Sequence, residues 1–85
     1  MSVQTTTDAT LAASSAADAA SAAANAQNTS QLHYAAYYAH NSALASWNAL
    51  AGVTPALANN AKSQTHQTMA NNHLTTANSL KAAGK

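Results

Sequence analysis

Residues 32–51 read LHYAAYYAHNSALASWNALA and carry a helical pattern along one face. Larger side chains recur there every three or four residues, which is the spacing of one side of an α-helix. This stripe consists of Leu32, His33, Ala36, Tyr37, His40, Ala43, Leu44, Trp47 and Leu50. The remaining positions are mainly alanine, serine and asparagine. The stretch therefore predicts a helix that packs along one face against another helix.

The same seven-residue repeat continues towards the N-terminus, where alanine occupies its positions. The predicted seam in this part is Ala9, Ala12, Ala16, Ala19 and Ala23. Because no glycine or proline precedes Gly52, we expect one continuous helix over residues 8–51. Two alternatives stay open. The run Asn28-Thr29-Ser30-Gln31 is also typical of a kink or of the cap of a separate helix, and alanine is frequent enough to produce a seam by chance.

The run Gly52-Val53-Thr54-Pro55 is typical of a turn between two helices. Glycine suits the position after a helix, threonine caps the next helix, and proline fits its first turn. We therefore expect a turn over residues 52–54 and a second helix over residues 55–83. Its apolar side is predicted to include Met69, Ala70, His73, Leu74, Ala77 and Leu80.

A reversal of the chain at Val53 would place residues whose numbers add to 106 at equal depth. The resulting pairs are His33 with His73, His40 with His66, Tyr37 with Met69, and Leu32 with Leu74. The sequence thus predicts an all-α fold in which a long and a shorter helix form an antiparallel, coiled-coil-like hairpin. In this register residues 8–22 extend beyond the second helix, so we expect them to pack on neighbouring copies in an oligomer or to fray in the isolated chain. Whether residues 8–30 pack within the chain instead stays open.

Composition narrows the class of protein. The 85 residues include 25 alanines, only 6% are charged, and the formal net charge is +1. Three scattered lysines make no basic patch for nucleic acid, and a charge near zero favours self-association. No stretch is apolar enough for a membrane span, and we expect no Sec export because the basic and apolar start of a signal peptide is missing. The lack of cysteine excludes disulfides and thiolate chemistry.

The four histidines are the reactive side chains present in number. They form two pairs with members seven residues apart, or about 10.5 Å along a helix, so neither pair on one helix shares a metal ion. Across the hairpin each layer offers two imidazoles, and we expect Asp8 and Asp18 to lie too far away to complete a zinc site. We therefore expect interhelical hydrogen bonds or exposed histidines and no cofactor. The alternatives are a pH-sensitive layer and a metal site, which would need ligands from a second chain. Without a buried acid and an oxyanion site, no enzymatic activity is expected.

Residues 12–26, AASSAADAASAAANA, resemble the alanine-, serine- and asparagine-rich coiled-coil segments of virion and tail-fibre proteins of tailed bacteriophages. This resemblance implies a small structural component of a virion capsid, portal or tail, whose partners are copies of itself and other virion proteins. A second resemblance, to helical-hairpin substrates of type VII secretion, departs from their tight Trp-x-Gly turn because Gly52 lies five residues after Trp47. A third, to ice-binding helices, rests on Thr54, Thr65 and Thr76. The virion role is the hypothesis that we prefer.

Overall fold

The computed structural model describes residues 3–53 and 61–85, with side chains described for residues 9–52 and 63–85. It contains the helices α1 (Val3–Gln27), α2 (Ser30–Val53) and α3 (Ala61–Ala82). No strand occurs within the described residues, and α2 packs against both α1 and α3. The predicted all-α class is therefore confirmed. None of these helices has the length and apolar character needed to cross a membrane.

The predicted continuous helix over residues 8–51 is wrong, because the chain turns at Asn28 and Thr29. Asn28 adopts a φ of 52°, in the left-handed region that asparagine tolerates better than most residues. Its N–H donates to the Ala24 carbonyl and closes α1. The Thr29 hydroxyl then accepts a hydrogen bond from the Leu32 N–H and caps α2. The alternative interpretation, a separate helix after this asparagine, describes the structure.

This turn folds α1 back along α2, so the prediction that residues 8–22 have no partner in the chain is also wrong. The Thr10 hydroxyl donates to the Ser46 carbonyl near one end of the helix pair. Near the other end, the Ser21 hydroxyl lies 2.6 Å from Nε2 of His40. Two residues between α1 and α2 suffice to reverse the chain. Residues 8–22 therefore lie alongside α2 and do not extend beyond the other helices.

The two histidine pairings predicted between the later helices are confirmed. The Nδ1 atoms of His33 and His73 are 2.8 Å apart, and those of His40 and His66 are 2.7 Å apart. A rising residue number in α2 therefore meets a falling number in α3. The chain just after α3 also contacts the start of α2, since the Ser30 N–H donates to the Lys85 carbonyl. Gly84, with a φ of 79°, provides the left-handed residue that ends α3.

The core between the helices is narrow and built mostly from small side chains. Its buried alanines are Ala17, Ala24, Ala36, Ala43, Ala70 and Ala77. Trp47 and Leu50 are the large apolar residues buried with them. Polar residues occupy the positions between these alanines, and they are Thr10, Ser21, His33, His40, His66 and His73. The apolar layers thus alternate with polar ones along the molecule.

The seam predicted on α1 does not face this core. Ala9, Ala12, Ala16 and Ala19 are exposed and Ala23 is half-buried. The buried face of α1 instead follows Thr10, Ala17, Ser21 and Ala24. Both faces repeat every seven residues, and in an alanine-rich helix the hydrophobic pattern does not distinguish them.

The predicted residues of the later helices lie on or beside the core. His33, His40, Trp47, His66 and His73 are buried, whereas Leu32, Tyr37, Leu44, Met69, Leu74 and Leu80 are half-buried. The predicted start of the turn at residue 52 is wrong, because α2 continues to Val53 and Gly52 is helical. The rest of the predicted turn lies outside the described residues. Pro55 and the start of the second predicted helix lie outside the described residues.

Candidate functional site

Eight side chains form one continuous run of hydrogen bonds through the core, which we call the polar ladder. In order along it they are Asn28, His33, His73, Ser21, His40, His66, Ser14 and Trp47. The seven contacts that join them measure between 2.6 and 3.0 Å. All three helices contribute, so the ladder fixes the helices against one another.

Ser21 is the central link of the ladder. Its hydroxyl oxygen lies 2.6 Å from Nε2 of His40 and 2.7 Å from Nε2 of His73. The two rings are nearly parallel, with an interplanar angle of 9° and centroids 5.8 Å apart. One hydroxyl thus serves two imidazoles at once, one on α2 and one on α3.

The outer imidazoles extend the ladder to its two ends. At one end, Nε2 of His33 lies 3.0 Å from Oδ1 of Asn28 in the turn between α1 and α2. At the other end, Nε2 of His66 lies 2.7 Å from the Ser14 hydroxyl. The indole N–H of Trp47 donates to that same hydroxyl at 2.8 Å. Each end of the ladder is therefore closed by a side chain of this chain.

The ladder follows a heptad repeat on every helix. Its members are Ser14 and Ser21 on α1 with Asn28 in the turn that follows, His33, His40 and Trp47 on α2, and His66 and His73 on α3. A spacing of seven residues returns side chains to the same face of packed helices. The sequence analysis missed Ser14, Ser21 and Asn28 as ladder residues, although their spacing of seven was a usable signal.

The direction of the hydrogen bonds follows from the chemistry of the two ends. An indole N–H is a donor without acceptor capacity, so the Ser14 hydroxyl must accept from Trp47 and can donate to His66. Continuing in this sense, a proton on Nδ1 of His66, Nε2 of His40, Nδ1 of His73 and Nε2 of His33 satisfies every contact. The last N–H donates to Oδ1 of Asn28. With four neutral imidazoles, each of the seven contacts of the ladder therefore has one donor and one acceptor.

Electrostatics favours the neutral form of two of these imidazoles, His40 and His73. Burial lowers the pKa of His40 below its ordinary value of 6.5, and the neighbouring His66 and His73 lower it further, while Asp18 acts in the opposite sense. Burial also lowers the pKa of His73, and His33 adds to this effect. Both rings are thus uncharged at neutral pH, as the hydrogen-bond order requires.

One carboxylate approaches the ladder, contrary to the expectation that both acids lie too far away. Asp18 joins His40 and His66 in a group whose candidate ligand atoms all lie within 4.8 Å of one another. Asp18 is exposed and the two histidines are buried. The expectation was wrong because one continuous helix over residues 8–51 would keep Asp18 far from His40 and His66. In the folded chain α1 lies beside both imidazoles.

A partly open cleft of about 220 Å³ lies against this group. Its lining includes Ser14, Asp18, Trp47, Thr65 and His66. Ser14 is the ladder hydroxyl that faces it, whereas Ser21 is only 4% exposed and lies between two rings. The arrangement thus offers a polar cleft with imidazole, carboxylate and hydroxyl groups. Comparison with protein-family models, curated proteins and solved structures found no match to this chain.

Proposed function

We propose that this protein is a non-enzymatic structural element that packs as an alanine-rich helical unit in a larger particle. Within the unit, α2 and α3 form an antiparallel, coiled-coil-like hairpin, and α1 covers its polar side. The observation that carries the proposal is the exposed alanine seam of α1, formed by Ala9, Ala12, Ala16 and Ala19. The occupant that we propose for this seam is the same seam of a second copy.

Small side chains suit this contact because they let two helix backbones approach closely. The exposed methyls recur at helical spacing, and the chain carries a net charge of only +1, so little repulsion opposes association. Eight methyls from two copies give at most about 6 kcal/mol at about 0.8 kcal/mol each. Association costs about 4–15 kcal/mol in lost freedom, so one seam pair is weak. Stable packing then requires several contacts for each chain, as in a particle.

The polar ladder supports a structural role more than a catalytic one. Each imidazole nitrogen in it contacts another group of the ladder. A general base must reach a substrate proton, and these nitrogens are engaged within the chain. Buried polar groups of this kind are known to specify register in packed helices. We propose that the ladder holds three alanine-rich helices in one arrangement.

Association is tested by sedimentation velocity on the full chain over a range of concentrations. The variant Ala12→Glu/Ala16→Glu places two charges on the seam. Its matched control is Ala45→Glu/Ala49→Glu, which places the same charges at exposed positions of α2. We expect the wild type and the control to associate as concentration rises and the seam variant to stay monomeric, with equal helix content by circular dichroism. A wild type that stays monomeric, or a control that dissociates equally, overturns the proposal.

The particle that we propose is a bacteriophage virion, and the resemblance of residues 12–26 to virion coiled-coil segments is its support. Mass spectrometry of purified particles from the organism that encodes the chain tests this directly. We expect the chain at a fixed ratio to the major capsid or tail protein. Its consistent absence from particles, with abundance elsewhere in the same culture, contradicts the virion role.

A further inference from the structure

The two histidine pairs of the ladder are built alike but differ in what lies beside them. In each pair the Nδ1 atoms face each other, at 2.7 Å for His40 and His66 and at 2.8 Å for His33 and His73. The first pair has the Asp18 carboxylate within 4.8 Å. Seven residues further along α1, beside the second pair, the chain has Asn25 instead.

We propose that Asp18, His40 and His66 bind one Zn²⁺ ion, with the two Nδ1 atoms and a carboxylate oxygen as ligands. Imidazole nitrogen and carboxylate oxygen are ligands that zinc prefers, and three protein ligands leave a fourth position for water. The cleft lined by Asp18 and His66 adjoins this site and gives the ion a path of entry.

Zinc binding requires the two rings to separate slightly and to turn, because their Nδ1 atoms now face each other. Two zinc–nitrogen bonds of about 2.0–2.1 Å at a tetrahedral angle place the nitrogens about 3.4 Å apart. The Nδ1 atoms are now 2.7 Å apart, so the rings must separate by a fraction of an ångström. Asp18 is exposed, so its carboxylate can rotate onto the ion without disturbing the core.

The outer nitrogens of both rings already have the partners that a zinc ligand needs. A histidine that binds metal through one nitrogen usually donates its other N–H to an oxygen, which fixes the ring. Here Nε2 of His40 lies 2.6 Å from the Ser21 hydroxyl, and Nε2 of His66 lies 2.7 Å from the Ser14 hydroxyl. These serines hold the two rings so that their Nδ1 atoms lie close together.

The protons balance without loss from the imidazoles. In the metal-free ladder His66 carries its proton on Nδ1 and His40 carries its proton on Nε2. When Zn²⁺ binds both Nδ1 atoms, the His66 proton moves to Nε2 and donates to Ser14. The Ser14 oxygen can accept this bond together with that from Trp47, because a hydroxyl has two lone pairs. The rest of the ladder, from Ser21 to Asn28, stays unchanged.

The test is calorimetric titration of untagged full-length protein with ZnCl₂ at pH 7.5, repeated at several protein concentrations. We expect one ion for each chain, independent of protein concentration. Substitution of Co²⁺ should give the visible absorption of a tetrahedral site. Trp47 is the single tryptophan and contacts Ser14, so its fluorescence should be quenched when Co²⁺ binds.

Two substitutions at exposed positions of α1, which should leave the fold unchanged, locate the ion. Asp18→Asn should weaken zinc binding by at least about tenfold, because even supporting partners of metal ligands are worth about 10–100-fold. Its control is Asp8→Asn, which removes the same charge from the same helix. Asn25→Asp should raise the stoichiometry to two by supplying the missing carboxylate to the second pair. No binding by the wild type, equal affinity in Asp18→Asn and Asp8→Asn, or a stoichiometry of one ion for two chains overturns the proposal. These outcomes are independent of the sedimentation result for the alanine seam.

Discussion

The serine at the centre of the ladder should be worth more to stability than any other hydroxyl of α1. In Ser21→Ala, Nε2 of His40 and Nε2 of His73 lose their common partner. The site is only 4% exposed, so water cannot easily replace the hydroxyl. A buried polar group left unsatisfied costs about 1–3 kcal/mol, which gives about 2–6 kcal/mol for two. Alanine returns about 0.5 kcal/mol through its higher helix propensity.

The net loss of about 1.5–5.5 kcal/mol is large for this chain. A domain of this length is expected to have a free energy of unfolding of about 4–13 kcal/mol. Urea denaturation followed by far-UV circular dichroism at pH 8 measures the difference. The control is Ser15→Ala, an exposed position on the same helix that carries the same propensity gain. If the two variants differ by less than about 0.5 kcal/mol, the ladder as described does not hold the core together.

Three further perturbations act on other parts of the ladder. Because the pKa values of His40 and His73 are lowered in the folded state, the unfolded chain binds protons first as pH falls. Stability should therefore be full above pH ~6.5 and fall by up to about 2.7 kcal/mol per pH unit below it for the two groups, as measured by melting between pH 8 and 5. Trp47→Phe removes the donor at one end, and we expect a loss of about 1–2 kcal/mol in urea denaturation. Asn28→Ala removes the acceptor at the other end and places alanine at a φ of 52°, so it should lower the free energy of unfolding by about 2–4 kcal/mol. Asn28→Gly should cost distinctly less, because glycine adopts this φ without strain. Equal losses in the two variants would contradict the backbone part of this argument.

The helical class and the histidine pairings could be predicted because they depend on spacing alone. His33 and His40 repeat every seven residues, as do His66 and His73, and one reversal of the chain brings both pairs together. The pairings of Tyr37 with Met69 and of Leu32 with Leu74 stay predictions.

The position of α1 could not be predicted, for two physical reasons. The exposed alanine seam of α1 keeps the heptad phase of residues 32–51 across Asn28, which favoured a continuous helix, whereas the buried face of α1 follows a different phase. The buried face of α1 also includes Thr10 and Ser21, because the imidazoles opposite require hydroxyl partners. The apolar pattern alone therefore predicts the wrong face of α1, the one with the exposed alanines. The carboxylate beside His40 and His66 was missed as a consequence, since Asp18 reaches this pair only when α1 folds back.

The ladder also specifies the register of the helices, which a core of alanine alone would define poorly. Alanine layers are nearly identical, so a helix that slips by one heptad would bury almost the same apolar surface and gain or lose little energy. The ladder distinguishes the registers because its ends differ: Trp47 can only donate, whereas Oδ1 of Asn28 can only accept. A slip of α1 by seven residues that moves Ser21 to the place of Ser14 would leave no residue of α1 at the place of Asn28, so Nε2 of His33 would lose its acceptor, at about 1–3 kcal/mol. It would also move Asp18 away from His40 and His66, so an ion bound there would oppose the slip further. The ladder thus selects the register of the helices, and two of its histidines, together with Asp18, form the zinc site that we propose.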